Sequence, residues 1–66
     1  MKDKKGYYAI LHVDETASEK EIKNAFRREV KLYHPDKNHD PNAGAIYLKI
    51  NESYRVLTDP DARQAY

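Results

Sequence analysis

Apolar residues recur along this chain at helical spacing in two long segments. In the first segment the steps are three and four residues, at Ile22, Ala25, Phe26, Val30 and Tyr33. In the second segment the residues that share one face at about 100° per residue are Ile46, Ile50, Ser53, Tyr54 and Leu57. A period of 3.6 residues is typical of an amphipathic helix. The pattern therefore predicts two such helices.

The ends of these helices carry their own signals. Ser18 and Glu21 have capping-box spacing, so the first helix is predicted to begin there. His34 precedes a proline and therefore avoids the αR region, which ends the helix after about fifteen residues. Asp40 with the following proline, or Asn42, is a candidate cap for the second helix.

Two short segments flank the pair. The apolar cluster of residues 7–13 is predicted to form a short helix, because the sequence offers no second strand to pair with it. Asp59 as N-cap and Pro60 at the first helical position predict a last short helix through Tyr66. The expected fold is all-α: an antiparallel two-helix hairpin with a polar tip loop at residues 34–42, braced by a short N-terminal and a short C-terminal helix.

Length and composition restrict the chain to one small domain. It has 66 residues, 39% hydrophobic and 35% charged, and no cysteine. A domain of this size hides only about 60% of the surface of its unfolded chain. The lack of cysteine excludes disulfides and thiolate metal sites, and it is consistent with a reducing compartment, cytoplasmic or nuclear.

The chain is predicted to divide into a disordered basic arm, residues 1–5, and the domain, residues 6–66. No segment is apolar enough for membrane insertion.

Positive charge is concentrated in the middle of the chain. Residues 20–37 hold six basic and three acidic residues, whereas each flanking segment holds three basic and four acidic. On a helical wheel four basic residues form one stripe and Arg28 lies apart; the four are Lys20, Lys23, Arg27 and Lys31. Only Glu21 and Glu29 offset them, so the stripe is predicted to dock on an anionic partner, the alternative being a solvated face.

The tip loop offers several polar side chains. A metal site would use His34, Asp36, His39 and Asp40, but their spacing is not that of a zinc motif. A hydrolytic site would use His34 as a base oriented by Asp36, but the loop holds no serine or threonine to activate. A third interpretation is a solvated turn capped by Asp40.

Several motifs together indicate a family. The hexapeptide Tyr33-His34-Pro35-Asp36-Lys37-Asn38 is preceded by Tyr7-Tyr8-x-Ile10-Leu11 and followed by Ile50-Asn51-Glu52-Ser53-Tyr54-Arg55-Val56-Leu57-Thr58-Asp59-Pro60. From about Gly6 to Tyr66 the chain closely resembles the J-domain of the DnaJ co-chaperone family. The resemblance implies a monomeric, non-enzymatic co-chaperone module without cofactor, metal or nucleic acid. It would dock on a seventy-kilodalton heat-shock chaperone and stimulate its ATP hydrolysis.

The resemblance also assigns roles to single residues. His34, Pro35 and Asp36 match the family's trigger motif, and Lys37 and Asn38 match residues that assist it. The docking positions of the basic helix match Lys20, Lys23, Arg27 and Arg28. An aspartate held on a proline-stiffened loop can accept charge-assisted hydrogen bonds from a partner arginine, while His34 shapes the loop.

The sequence departs from the family pattern at several positions. Glu29 stands where a leucine is usual and Leu32 where a basic residue is usual; Ser53 replaces alanine and Phe26 replaces tyrosine. A buried carboxylate without a partner is costly. Two placements therefore stay open for Glu29: burial between the helices with Tyr54 or Ser53 as donor, or a place at the rim.

Two other functions are weighed against the co-chaperone interpretation. A small basic helical module that binds nucleic acid would use the stripe on phosphates. It predicts more positive charge elsewhere, whereas both flanking segments are net negative. An inactive J-like fold is the other alternative, if Glu29 disturbs the helix pair.

Overall fold

Four helices make up the fold of the described residues. The computed structural model describes residues 3–66, with α1 at Tyr7–Leu11, α2 at Glu19–Tyr33, α3 at Ala43–Thr58 and α4 at Pro60–Ala65. No strand occurs within this range. Phe26 stacks on Tyr54, and His34 at the end of α2 contacts Tyr47 near the start of α3, so the two long helices run antiparallel. The predicted all-α hairpin with two short bracing helices is confirmed.

The start and end of α2 follow the sequence signals. The Ser18 hydroxyl accepts a hydrogen bond from the Glu21 amide at 3.1 Å, and the Glu21 carboxylate accepts one from the Ser18 amide at 3.0 Å. These bonds lower the pKa of Glu21, the bond from the Ser18 amide most. The backbone leaves the helix at His34, which is extended with φ −61° and ψ 131°. The capping box and the proline stop are both confirmed.

The start of α3 differs from the expectation of a side-chain cap. Asn42 is the N-cap residue, but its side chain makes no capping hydrogen bond. The Asp40 carboxylate instead accepts from the Asn42 amide at 2.8 Å, one residue before the helix. At α4 the prediction is confirmed, because the Asp59 carboxylate accepts from the amides of Asp61 and Ala62 at 3.0 and 3.4 Å.

The core joins both short helices to the hairpin. Its buried residues are Tyr7, Tyr8, Leu11, Ala17, Ile22, Ala25, Ile50 and Leu57. Arg63 of α4 donates from Nε to the Tyr8 hydroxyl at 3.0 Å and from Nη2 to the Ala17 carbonyl at 2.6 Å. One arginine therefore fixes α4 to α1 and to the segment that enters α2.

The N-terminal segment is attached to the domain from Asp3 onward. Met1 and Lys2, which belong to the predicted disordered arm, lie outside the described residues. The Asp3 carboxylate accepts hydrogen bonds from the amides of Tyr7 and Ala9 at 2.9 and 3.0 Å and from the Tyr66 hydroxyl. A carboxylate that receives the free amides of a helix start needs no burial to be held in place. From Asp3 onward the predicted arm is therefore hydrogen-bonded to α1 and to the C-terminal residue Tyr66.

Candidate functional site

The tip loop (residues 34–42) leaves α2 through a tight turn around Pro35 and Asp36. The His34 carbonyl accepts hydrogen bonds from the amides of Lys37 and Asn38, both at 2.9 Å. The Asp36 side chain is 88% exposed. The turn therefore presents the Asp36 carboxylate to solvent from a fixed backbone.

Asn38 ties this turn to the end of α2. Its side-chain amide donates to the Leu32 carbonyl at 2.9 Å, and its side-chain oxygen accepts from the Asp40 amide at 2.9 Å. Leu32 carries one of the last carbonyls of α2, which have no partner within the helix. Asn38 thereby fixes the loop on both sides of the turn, while Lys37 is exposed beside it.

The His34 ring lies between the loop and α3. Its Nδ1 accepts a hydrogen bond from the Asp36 amide at 3.2 Å, and the Asp36 carboxylate is 3.8 Å from the same nitrogen. The Tyr47 ring meets it edge-on, with centroids 5.3 Å apart and planes at 67°. Tyr47 was missed by the sequence reasoning, since it falls at the edge of the apolar face of α3. No signal in the sequence specifies its place beside His34, which depends on how the loop sets α3 against α2.

The basic stripe lies on the outer surface of α2. All four of its residues, Lys20, Lys23, Arg27 and Lys31, are exposed. Within residues 3–66 none of them forms an ion pair. The stripe is therefore an uncompensated positive surface on the helix that leads directly into the tip loop.

Arg28 points away from the stripe, toward α1. Its Nη2 donates to the Leu11 carbonyl at 3.0 Å, and its Nε donates to the Glu29 carboxylate at 3.2 Å. The Arg28 side chain remains 54% exposed. Unlike the stripe residues, it is engaged in holding α1.

Glu29 is buried, with 3% of its surface exposed, so its placement at the rim is wrong. The predicted donors are also wrong. Ser53 donates to the Lys49 carbonyl at 2.7 Å, and Tyr54 stacks on Phe26 with centroids 4.0 Å apart. Glu29 lies on the side of α2 that faces the end of α1, and its carboxylate accepts a hydrogen bond from Arg28, its neighbour on the same helix.

The interpretation of the loop as a metal site gains no support from the geometry. Among residues 3–66 the structure brings together no group of three or more side chains able to hold a metal ion. His39 is exposed, and the Asp40 carboxylate accepts a hydrogen bond from the Asn42 amide.

None of the described helices is long and apolar enough to cross a membrane.

Comparison with known proteins places this arrangement in a family. The DnaJ domain profile matches residues 6–66. The chain belongs to the DnaJ domain family. The J-domain is also 52% identical over all 66 residues to "Chaperone protein DnaJ" of Dictyoglomus thermophilum and 48% identical to "Chaperone protein DnaJ 2" of Thermus thermophilus. It spans 17% and 24% of the lengths of these two proteins.

A solved structure shows the same J-domain fold. The crystal structure of the J-Trx1 fragment of ERdj5 matches with a TM-score of 0.84 and 48% sequence identity. The match covers 91% of this J-domain and 29% of that chain. Sequence and fold thus both place the chain among the DnaJ domains.

Proposed function

We propose that this J-domain docks on a seventy-kilodalton heat-shock chaperone and stimulates that chaperone's ATP hydrolysis through the tip loop. The observation that carries the proposal is the placement of Asp36. Its side chain is 88% exposed, while hydrogen bonds to the backbone carbonyl of His34 and the side chain of Asn38 fix the turn around it.

This geometry suits a trigger that acts by one strong polar contact. An exposed carboxylate on a fixed turn can accept a charge-assisted hydrogen bond from an arginine of the partner, which is stronger than a bond between neutral groups. Because the turn is ordered before binding, little conformational entropy is lost on contact. The stiff proline before Asp36 acts in the same direction.

The basic stripe supplies orientation. Four uncompensated cations on one helix face attract an acidic patch, raise the association rate and fix the register of the complex. Single exposed charges add little affinity, so the encounter is expected to be weak and reversible. The family resemblance also places Arg28 among the docking residues. We assign it a smaller contribution to docking, because its guanidinium already donates to the Leu11 carbonyl and the Glu29 carboxylate.

The domain itself is proposed to be non-enzymatic and monomeric, with no nucleic-acid partner. ATP binding and the hydrolytic step belong to the chaperone in this proposal. The tip loop contributes a carboxylate and an imidazole, and it has no serine or threonine that could act as a nucleophile.

Single-turnover ATP hydrolysis by a seventy-kilodalton chaperone, with and without this domain, tests the proposal. We expect acceleration by the native chain and none by Asp36→Asn, with unchanged helical circular dichroism. Asp61→Asn is the matched control, since Asp61 is also exposed but lies on α4. No acceleration by the native chain with any chaperone tried, or full acceleration by Asp36→Asn, would overturn it.

A further inference from the structure

We propose that Tyr47 is a positioning residue for the tip loop: it orients the His34 ring so that unprotonated Nδ1 holds the Asp36 backbone. The effect on the chaperone rests on the function proposed above. Tyr47, His34 and Asp36 all lie within this domain, so their arrangement can be tested without any partner.

The direction of one hydrogen bond determines the protonation state of His34. The Asp36 amide can only donate, and it lies 3.2 Å from Nδ1. Nδ1 must therefore carry a free lone pair, which places the single ring proton on Nε2. The loop shown here requires a neutral imidazole in one tautomer.

Tyr47 restricts the plane of the imidazole ring. The edge-on contact, with centroids 5.3 Å apart and planes at 67°, has the favourable geometry of an aromatic pair and limits tilting of the ring. Within that plane the hydrogen bond from the Asp36 amide selects the edge that carries Nδ1, because a half-turn would replace Nδ1 by a carbon, which cannot accept a hydrogen bond. The tyrosine belongs to the long helix α3 rather than to a loop, so it provides a rigid support.

Nuclear magnetic resonance of the chain without any chaperone tests the positioning. In the native chain at neutral pH we expect a bare Nδ1, a protonated Nε2, and slow exchange of the Asp36 amide proton, which donates to Nδ1. Tyr47→Leu should give mixed His34 tautomers and faster exchange of the Asp36 amide. Tyr47→Phe should preserve the native pattern because it keeps the ring edge.

Tyr54→Leu is the control for general loss of packing. Tyr54 also lies on α3 but stacks on Phe26, so its replacement should leave the His34 and Asp36 signals unchanged even if stability falls. A protonated Nδ1 in the native chain at neutral pH, or native signals in Tyr47→Leu, would overturn the inference.

The consequence for the partner is measured separately. We expect Tyr47→Leu to reduce stimulated hydrolysis by roughly tenfold and Tyr47→Phe to leave it near the native value, as for a misplaced catalytic contact. Equal losses in both variants would mean that the hydroxyl touches the chaperone directly, which contradicts a positioning role. If the native chain stimulates no chaperone, the proposed function fails while the resonance experiment still decides the inference.

Discussion

The imidazole Nε2 of His12 lies 3.7 Å from the Glu29 carboxylate, a group with 3% of its surface exposed. His12 ends α1 in the left-handed region, with φ 56° and ψ 45°. The carbonyl of the preceding residue, Leu11, accepts a hydrogen bond from the Arg28 guanidinium. Two adjacent residues of α2 therefore hold two adjacent residues at the end of α1, and we call this set the α1–α2 clamp (Leu11, His12, Arg28 and Glu29).

The first prediction concerns the charge of Glu29. Glu29→Gln keeps the shape but weakens the contact with Arg28, and it should lower the free energy of unfolding by about 1 kcal/mol. Glu29→Leu replaces a buried polar group by apolar surface and should raise the free energy by about 1 kcal/mol relative to the native chain. Urea unfolding at neutral pH measures both. Glu15→Gln, at an exposed position, should change little, and a native midpoint for Glu29→Gln would show that the charge adds no stability.

The second prediction separates Arg28 from the basic stripe. Arg28→Met removes the donor to the Leu11 carbonyl and should lower the free energy of unfolding by about 1 kcal/mol. Lys20→Met, on the stripe, should stay within about 0.5 kcal/mol. Denaturant unfolding of the two variants side by side is the measurement. Equal stabilities would mean that the clamp does not depend on the guanidinium.

The third prediction is a loss of stability in alkali that depends on Tyr7. Its hydroxyl donates to the Glu52 carboxylate, and this bond, followed by burial, raises the pKa of Tyr7 from 10.0 to about 12. The folded state thus favours the neutral phenol, whose contribution is complete below pH 10 and is lost as pH rises toward 12. The free energy of unfolding, followed by circular dichroism, should fall more steeply over this range in the native chain than in Tyr7→Phe. Equal slopes in the native chain and in Tyr7→Phe would contradict the prediction. Tyr33→Phe, which leaves Tyr7 in place, serves as the control.

The fourth prediction concerns the attachment of the N-terminal segment in acid. Partial burial acts to raise the pKa of Asp3, but hydrogen bonds from Tyr66 and from the amides of Ala9 and Tyr7 lower it overall. A pKa lowered in the folded state gives stability that is present above the ordinary pKa of 3.8 and is lost as pH falls through the lowered pKa of the folded state. Asp3→Asn should therefore be less stable than the native chain at neutral pH, with a difference that shrinks in acid. A difference independent of pH would point to shape rather than charge.

The fifth prediction concerns the basic stripe. Lys23→Glu combined with Arg27→Glu should slow association with the chaperone by about tenfold at low salt, and by less at high salt, because ions screen the attraction. Rapid-mixing kinetics at two ionic strengths measure it. Lys4→Glu with Lys5→Glu changes the net charge equally at another exposed place and should have a much smaller effect. Equal slowing at both salt concentrations would show that the stripe acts through shape.

Sequence reasoning succeeded here where the interacting residues are close together along the chain, and it failed where they are far apart. Ser18 and Glu21 are three residues apart, and Asp59 adjoins Pro60, so their interactions could be predicted from spacing alone. The contact between Glu29 and His12 spans 17 positions and depends on how α1 sits against α2, which helical periodicity does not specify. Tyr47 is a similar case, because its place beside His34 depends on how far the loop lets α3 run back along α2. The candidate site residues were predicted from a resemblance of motifs, while the contacts that hold them in place required the three-dimensional structure.

The contacts of Tyr66 determine how the domain can be joined to other parts of a protein. Its hydroxyl donates to Asp3 and accepts from the Lys5 amide, and its ring lies 4.8 Å from that of Tyr7. The first and last described residues therefore meet at the end of the hairpin remote from the tip loop. A segment fused before or after the domain leaves from that same end, so either fusion keeps Asp36 accessible. A short peptide joining the two ends, with new termini opened elsewhere, should likewise preserve the fold.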